Sequence, residues 1–138
     1  MRLNTYLNFG GNCEQAFRFY EQHLGGKIMM LMRRAEQPNQ TDTWPGWEQS
    51  IQYATMQIGE TELMGADVAP DRFQPMRSVY LSLTVNSADE AERIYALLSD
   101  GGQVFMPMEE TFFAVRFGML RDRFGTSWMI LALKPQAS

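Results

Sequence analysis

Apolar and polar positions alternate from the start of the chain: Leu3, Thr5, Leu7 and Phe9 interleave with Asn4, Tyr6 and Asn8. A period of two is that of a strand with one face buried. Gly10-Gly11-Asn12 breaks the pattern, and Asn12 is placed to cap a helix over Cys13–Leu24. Within it Ala16, Phe17, Tyr20 and Leu24 recur at helical spacing and predict one sheet-facing stripe. Gly25-Gly26 ends the helix, since glycine takes the left-handed C-cap conformation freely. A mostly apolar strand follows at 27–32, then a polar loop at 34–50 rich in Gln, Asn, Thr, Pro and Asp. Ile51–Ile58 reads as a third strand, Gly59-Glu60 as a two-residue hairpin turn, and 61–64 as a fourth strand.

A connecting segment at 65–77 carries Pro70 and Pro75, and then the pattern restarts. Val79, Leu81, Leu83 and Val85 alternate with Tyr80, Ser82 and Thr84. Ser87 caps a helix over Ala88–Ser99, with Glu90 three residues on and an apolar stripe of Ala91, Ile94, Tyr95 and Leu98. Gly101-Gly102 closes it, and strands follow at 103–108, 113–120 and Ser127–Leu133. The last is entered through Asp122-Arg-Phe-Gly125, a polar turn before Thr126, Ser127 and Trp128. The order is thus strand–helix–strand–strand–strand, twice, a sign of internal duplication. It predicts an α+β fold: one domain of two tandem βαβββ modules, about 1–67 and 78–135, each a curved four-stranded sheet backed by one helix. The other sheet faces would line a shared cleft. Strand parity puts Asn4, Tyr6 and Asn8 on the cleft side of the first module, and Tyr80, Ser82 and Thr84 on that of the second.

Composition changes this picture little. At 138 residues with 45% hydrophobic content, the chain has enough apolar material for a core. A formal charge of -4 and the absence of any Lys/Arg cluster argue against nucleic-acid binding. The Arg33-Arg34 pair reads as an exposed pair at a strand end. No stretch has the length of a membrane span, no signal peptide is visible, and one cysteine permits no intrachain disulfide. The expectation is a cytoplasmic protein with no membrane partner.

Candidate chemistry is sparse. His23, the single histidine, sits where it would interact with a helix C-terminus. Cys13 opens the first helix, where a thiol can be activated, but no base accompanies it. Glu109, Glu110 and Arg116 are the remaining charged candidates; Arg116 lies in mid-strand, facing either solvent or an anion in the cleft. Trp44 and Trp47, on the long loop, either plug that loop onto the core or roof a pocket as lids. Many of the eleven methionines fall in strands, as core filler or as an adaptable apolar lining.

The run Tyr6-Leu-Asn-Phe-Gly-Gly-Asn-Cys-Glu-Gln-Ala-Phe-Arg-Phe-Tyr20, then Leu24-Gly25-Gly26, Glu110-Thr-Phe-Phe113, Phe117-Gly118, Asp122-Arg-Phe-Gly125 and Trp128, resembles the vicinal oxygen chelate superfamily. That group includes glyoxalase I, bleomycin-resistance proteins and extradiol dioxygenases; within it the chain is most similar to the PhnB-like branch. Arg123 departs from the branch's usual Asp-Pro-Phe-Gly, which alters the stiffness of the turn. The resemblance implies the glyoxalase/bleomycin-resistance fold, a cleft and a homodimer. It also implies inward-facing metal ligands on four strands. The matching positions hold Asn4 or Thr5, no carboxylate or histidine in Ile51–Ile58, Tyr80, and Met129 or Ile130. Since a catalytic divalent site needs about three suitable donors, no metal and no other cofactor is expected. Relatives of this branch are sometimes labelled ubiquinone-pathway methyltransferases, but Gly10-Gly11 is not a cofactor-binding glycine fingerprint.

The reading that results is a metal-free protein binding a small aromatic or apolar molecule. Tyr6, Tyr53, Tyr80 and Trp128 would supply flat surface, and Asn4, Asn8, Ser82 and Arg116 would orient polar groups. Whether it catalyses a reaction stays open at this point. Its rivals are a metal-dependent lyase, isomerase or dioxygenase with unconventional ligands, and a dimeric interaction module whose cleft is filled by side chains.

Overall fold

A computed structural model describes residues 1–39, 41 and 43–135. The chain divides into two compact units, Met1–Gln74 and Pro75–Ser138. The first contains β1 (Thr5–Phe9), α1 (Cys13–Leu24), β2 (Lys27–Arg33), β3 (Ile51–Ile58) and β4 (Thr61–Asp67). The second contains β5 (Leu81–Val85), α2 (Ala88–Ser99), β6 (Gln103–Glu109), β7 (Ala114–Arg121) and β8 (Ser127–Leu133). The sheets have the orders β1-β4-β3-β2 and β5-β8-β7-β6. In each, the first and last strands of the unit pair parallel while the other pairings are antiparallel. The duplicated βαβββ order is therefore present as duplicated topology.

Each helix buries its stripe on one sheet face. Cys13, Ala16, Phe17 and Tyr20 of α1 are buried, as are Ala91, Ile94 and Leu98 of α2. Close approach is made possible by strand glycines. A Cβ at Gly65 would lie 2.9 Å from Cε1 of Phe17, and one at Gly118 would lie 3.0 Å from Cε2 of Tyr95. Each helix thus lays an aromatic ring on a sheet glycine. This explains why β4 continues to Asp67 rather than stopping at residue 64: Gly65 is a packing position inside the strand, not the start of a connection.

Two buried aspartates hold the loops to these sheets. Asp67, 2% exposed, ends β4 and accepts from the backbone N–H of Gly11 (3.0 Å), Cys13 (3.0 Å) and Ile51 (2.8 Å). It therefore supplies the acceptor at the start of α1. Asn12 occupies the N-cap position but makes no side-chain capping bond, so the predicted local cap is replaced by one from a distant strand. Ser87, by contrast, caps α2 as expected, its Oγ accepting from the N–H of Glu90 at 3.1 Å. Asp122 organises the turn into β8. One oxygen accepts from the N–H of Phe124 (2.9 Å) and Thr126 (3.0 Å), the other from Nε1 of Trp128 (2.9 Å). Gly125 completes the turn at φ +100°. Arg123, in place of the branch's proline, lies over the Phe124 ring at 5.2 Å and reaches Asp100 at 3.7 Å.

Candidate functional site

The face of each sheet turned away from its helix follows from register. In the first unit Tyr6 pairs with Met64 and Asn8 with Ala66, while Leu7 pairs with Gly65, which lies under Phe17. Met64 pairs in turn with Thr55, Thr55 with Met30, and Tyr53 with Met32. The helix-free face therefore carries Tyr6, Met64, Thr55 and Met30 in one row. One register step further it carries Asn8, Ala66, Tyr53 and Met32. Ala66, in the row between Asn8 and Tyr53, is itself buried. Asn4 precedes β1 and is exposed, outside this array.

Arg34 lies just past the end of β2, two residues beyond Met32. Its neighbour Arg33, the last residue of β2, bonds Glu14 of α1 at 2.7 Å, whereas Arg34, which opens a short 3-10 turn, is only 8% exposed. Its Nη1 donates to the carbonyl of Ile51 at 2.9 Å and to Oγ of Ser50 at 3.3 Å. The ring of Trp44 lies against the guanidinium, 4.8 Å from Cζ. The expectation of an exposed arginine pair is thus corrected for Arg34. Sequence reasoning missed it, because the burial of Arg34 comes from Ser50, Ile51 and Trp44 at the far end of the loop. Trp47 is fixed through its carbonyl, which accepts from Oγ of Ser50 at 2.6 Å. Both tryptophans are half-buried, on a loop containing short 3-10 turns at Arg34–Glu36 and Trp47–Gln49.

In the second unit Ser82 pairs with Met129, Thr84 with Leu131, Phe117 with Leu131 and Met119 with Met129. These side chains make up its helix-free face. Tyr80, just before β5, meets Phe105 edge-on at 6.1 Å, and Arg121 lies over Phe105 at 5.4 Å. Two of the predicted site residues lie elsewhere. Trp128 pairs with Leu81 and Leu120, on the same side as Ile130 and Gly118, where α2 packs; it is 3% exposed and bonded to Asp122. Arg116 reaches back to α2, its Nε donating to Glu92 at 3.0 Å in a solvent-facing ion pair. Neither presents itself on the helix-free face. Tyr6, Asn8 and Tyr53 are brought together in the first unit, and Tyr80 and Ser82 belong to the second.

The electrostatics of the first face are mild. Burial raises the Tyr6 phenol above the ordinary tyrosine range, with Cys13 and Tyr53 acting the same way and Arg34 opposing. Cys13 is fully buried, and burial, then Asp67 and Glu14, push its thiol far above the normal range. The helix N-terminus is outweighed, so Cys13 is inert as a nucleophile. The sign follows from linkage. A thiol that titrates later in the folded state than in the unfolded state leaves the unfolded chain with fewer protons above about pH 8.5. Stability should therefore fall by about 1.4 kcal/mol per pH unit as pH rises beyond that range. The Tyr6 and Tyr95 phenols, also raised by burial, act in the same direction at higher pH. Urea titrations at pH 8, 9 and 10 check this; a slope unchanged in Cys13→Ala assigns it to other groups.

Donors for a metal are few. Among the described residues no group of three or more His, Cys, Asp or Glu side chains is placed to hold a metal ion. The helix-free positions of β1, β4, β5 and β8 hold Tyr, Asn, Met, Ala, Ser, Thr and Leu together with a single carboxylate, that of Glu62, which pairs with Arg2 at 3.5 Å. The donor set does not fit a divalent catalytic ion.

Residues 1–131 match the sequence profile of the 3-demethylubiquinone-9 3-methyltransferase family. The chain belongs to that family. It is 30% identical over 144 residues to the protein YjdN of Escherichia coli K12, covering 99% of this chain and 98% of YjdN. The crystal structure of PA1353 from Pseudomonas aeruginosa superposes with a TM-score of 0.87 at 38% identity, over 96% of this chain and 97% of PA1353. The PhnB protein of Bacillus cereus follows at a TM-score of 0.81 and 25% identity, over 96% and 99% of the two chains. Members of the glyoxalase, bleomycin-resistance and dioxygenase group share the fold at 16% identity or less, a likeness of architecture alone. The family is PhnB-like, and its paired βαβββ units are those of the glyoxalase fold. Among the described residues no helix is long and apolar enough to cross a membrane.

Proposed function

We propose that this PhnB-like protein binds a small aromatic or apolar molecule on its helix-free sheet surface, without a metal ion. The supporting observation is the makeup of that surface in the first unit. Tyr6, Tyr53, Met30, Met32 and Met64 share that face, with Asn8 and Thr55 as the neutral polar groups. Flat phenols and flexible thioethers adapt to planar apolar ligands.

The family's name denotes a methyltransferase. Methyl transfer from a nucleoside cofactor calls for a free phosphate- or carboxylate-binding helix start after β1. Here the amides of Gly11 and Cys13 are already bonded to the buried Asp67 carboxylate. This favours binding over methyl transfer. The rival reading, a metal-dependent lyase, isomerase or dioxygenase, draws on the fold alone. We also propose a homodimer, on the exposure of Phe112 (92%) and Leu133 (53%) beside Phe113; light scattering on purified protein tests it.

Two measurements test the binding reading. Dialysis against a chelator should leave Tm within about 1 °C, and metal analysis should find none in stoichiometric amount. Stoichiometric metal whose removal destabilises the fold overturns the metal-free assignment. A screen of small aromatic compounds by thermal shift should return binders that stabilise by about 2.7 kcal/mol at a hundredfold excess over Kd. Hits lost in Tyr6→Ala and Tyr53→Ala locate them on this face; no hit at all counts against the reading.

A further inference from the structure

Arg34 is a buried guanidinium whose hydrogen bonding is incomplete. Among the described residues the hydrogen bonds of its guanidinium, to Ile51 O and Ser50 Oγ, both come from Nη1. Its Nε is buried with no hydrogen-bond partner. Among the described residues it forms no ion pair, in contrast to Arg33, which pairs with Glu14. Asp67, which also contacts Ile51, has its carboxylate on three backbone N–H groups. A buried cation normally has a neutralising partner, because desolvating an isolated charge is costly. The edge left unused, Nε with Nη2, is one whose two parallel N–H bonds match a carboxylate.

We propose that Arg34 is the receptor for a carboxylate on the planar ligand, with Tyr6 and Tyr53 flanking it as phenolic hydrogen-bond donors. This rests on the binding function proposed above and specifies its ligand class as an aromatic or apolar monoanion. The neutral polar groups Asn8 and Thr55 add no competing charge on this face. Trp44 is stacked on the guanidinium and the Nε is out of solvent contact. Entry of the anion therefore displaces the Trp44 ring, which makes its indole a reporter and gives the long loop a role at the site.

The test uses ¹⁵N-labelled full-length protein titrated with benzoate, its neutral analogue benzamide, and formate, following the Arg34 Nε–H and Trp44 indole resonances. Benzoate should bind at least tenfold more tightly than benzamide and move both signals. Arg34→Gln should remove that preference while leaving benzamide binding in place. Equal affinity for benzoate and benzamide overturns the carboxylate receptor and leaves the apolar binding surface standing. Formate moving the Arg34 signal while both ringed probes fail retains the anion site and overturns the apolar reading instead. If Arg34→Gln does not fold, the wild-type protein decides: benzoate binding that leaves the Arg34 Nε–H unmoved overturns the proposal. Failure of all three probes overturns both.

Discussion

Replacing Asp67 with alanine is expected to destabilise the fold by about 3–5 kcal/mol, the largest loss of any single substitution considered. The carboxylate is 2% exposed and terminates three N–H groups, those of Gly11, Cys13 and Ile51. Without it the first two are orphaned at a helix start and the third at a strand start, those of Cys13 and Ile51 in buried sites and that of Gly11 in a partly buried one. An unmet buried donor costs about 1–3 kcal/mol. Asp67→Asn separates shape from acceptor count. The amide oxygen can still serve Gly11 and Cys13, but its NH₂ then faces the N–H of Ile51, so a loss of about 2 kcal/mol is expected. Urea unfolding of the two variants measures both. A loss below about 1 kcal/mol for Asp67→Ala would mean that solvent reaches these amides.

The second large effect is expected at the turn into β8. Asp122→Ala removes the acceptor for two backbone N–H groups and for the Trp128 indole, and should cost about 2–4 kcal/mol. Trp128→Phe keeps most of the buried ring but drops the indole N–H, for about 1–2 kcal/mol. Because the two side chains share one bond, the double variant should be less destabilised than the two single losses added together. Additive losses would show that Asp122 acts on the turn backbone alone. Trp128 fluorescence, read in variants lacking Trp44 and Trp47, follows the same bond spectroscopically.

Much of this fold is legible in the sequence. Both helices have the predicted limits: each stops at a glycine close by in the chain, and α2 also starts at its local cap, Ser87. β8 likewise begins and ends where expected. What fails is whatever depends on a distant partner. Asn12 looks like a cap, yet the acceptor comes from Asp67, which no window around the helix contains. Gly65 looks like punctuation until Phe17 is seen lying on it. In the candidate site, period-two parity places Tyr6, Asn8 and Ser82 on the helix-free faces, but Trp128 was grouped with them by residue type. Its parity is that of Ile130, and its polar atom is already committed to Asp122. Arg116 was visible as a charged residue in mid-strand, but its Glu92 partner on α2 is a property of packing. The burial of Arg34 depends on Ser50, Ile51 and Trp44 at the far end of the loop, which its own neighbourhood in the chain does not show.

The parallel pairing of first and last strands has a kinetic consequence. β3 and β4 are antiparallel neighbours joined by the two-residue Gly59-Glu60 turn, so their hydrogen bonds close a short loop and form early. β1 must instead find β4 after the whole module has been made, joining residues as far apart in the chain as Thr5 and Leu63. Loop-closure entropy makes this the slow contact. The strand that carries Tyr6 and Asn8 is therefore the last to dock, and a refolding chain pairs β3 with β4 before it completes the helix-free face of this unit.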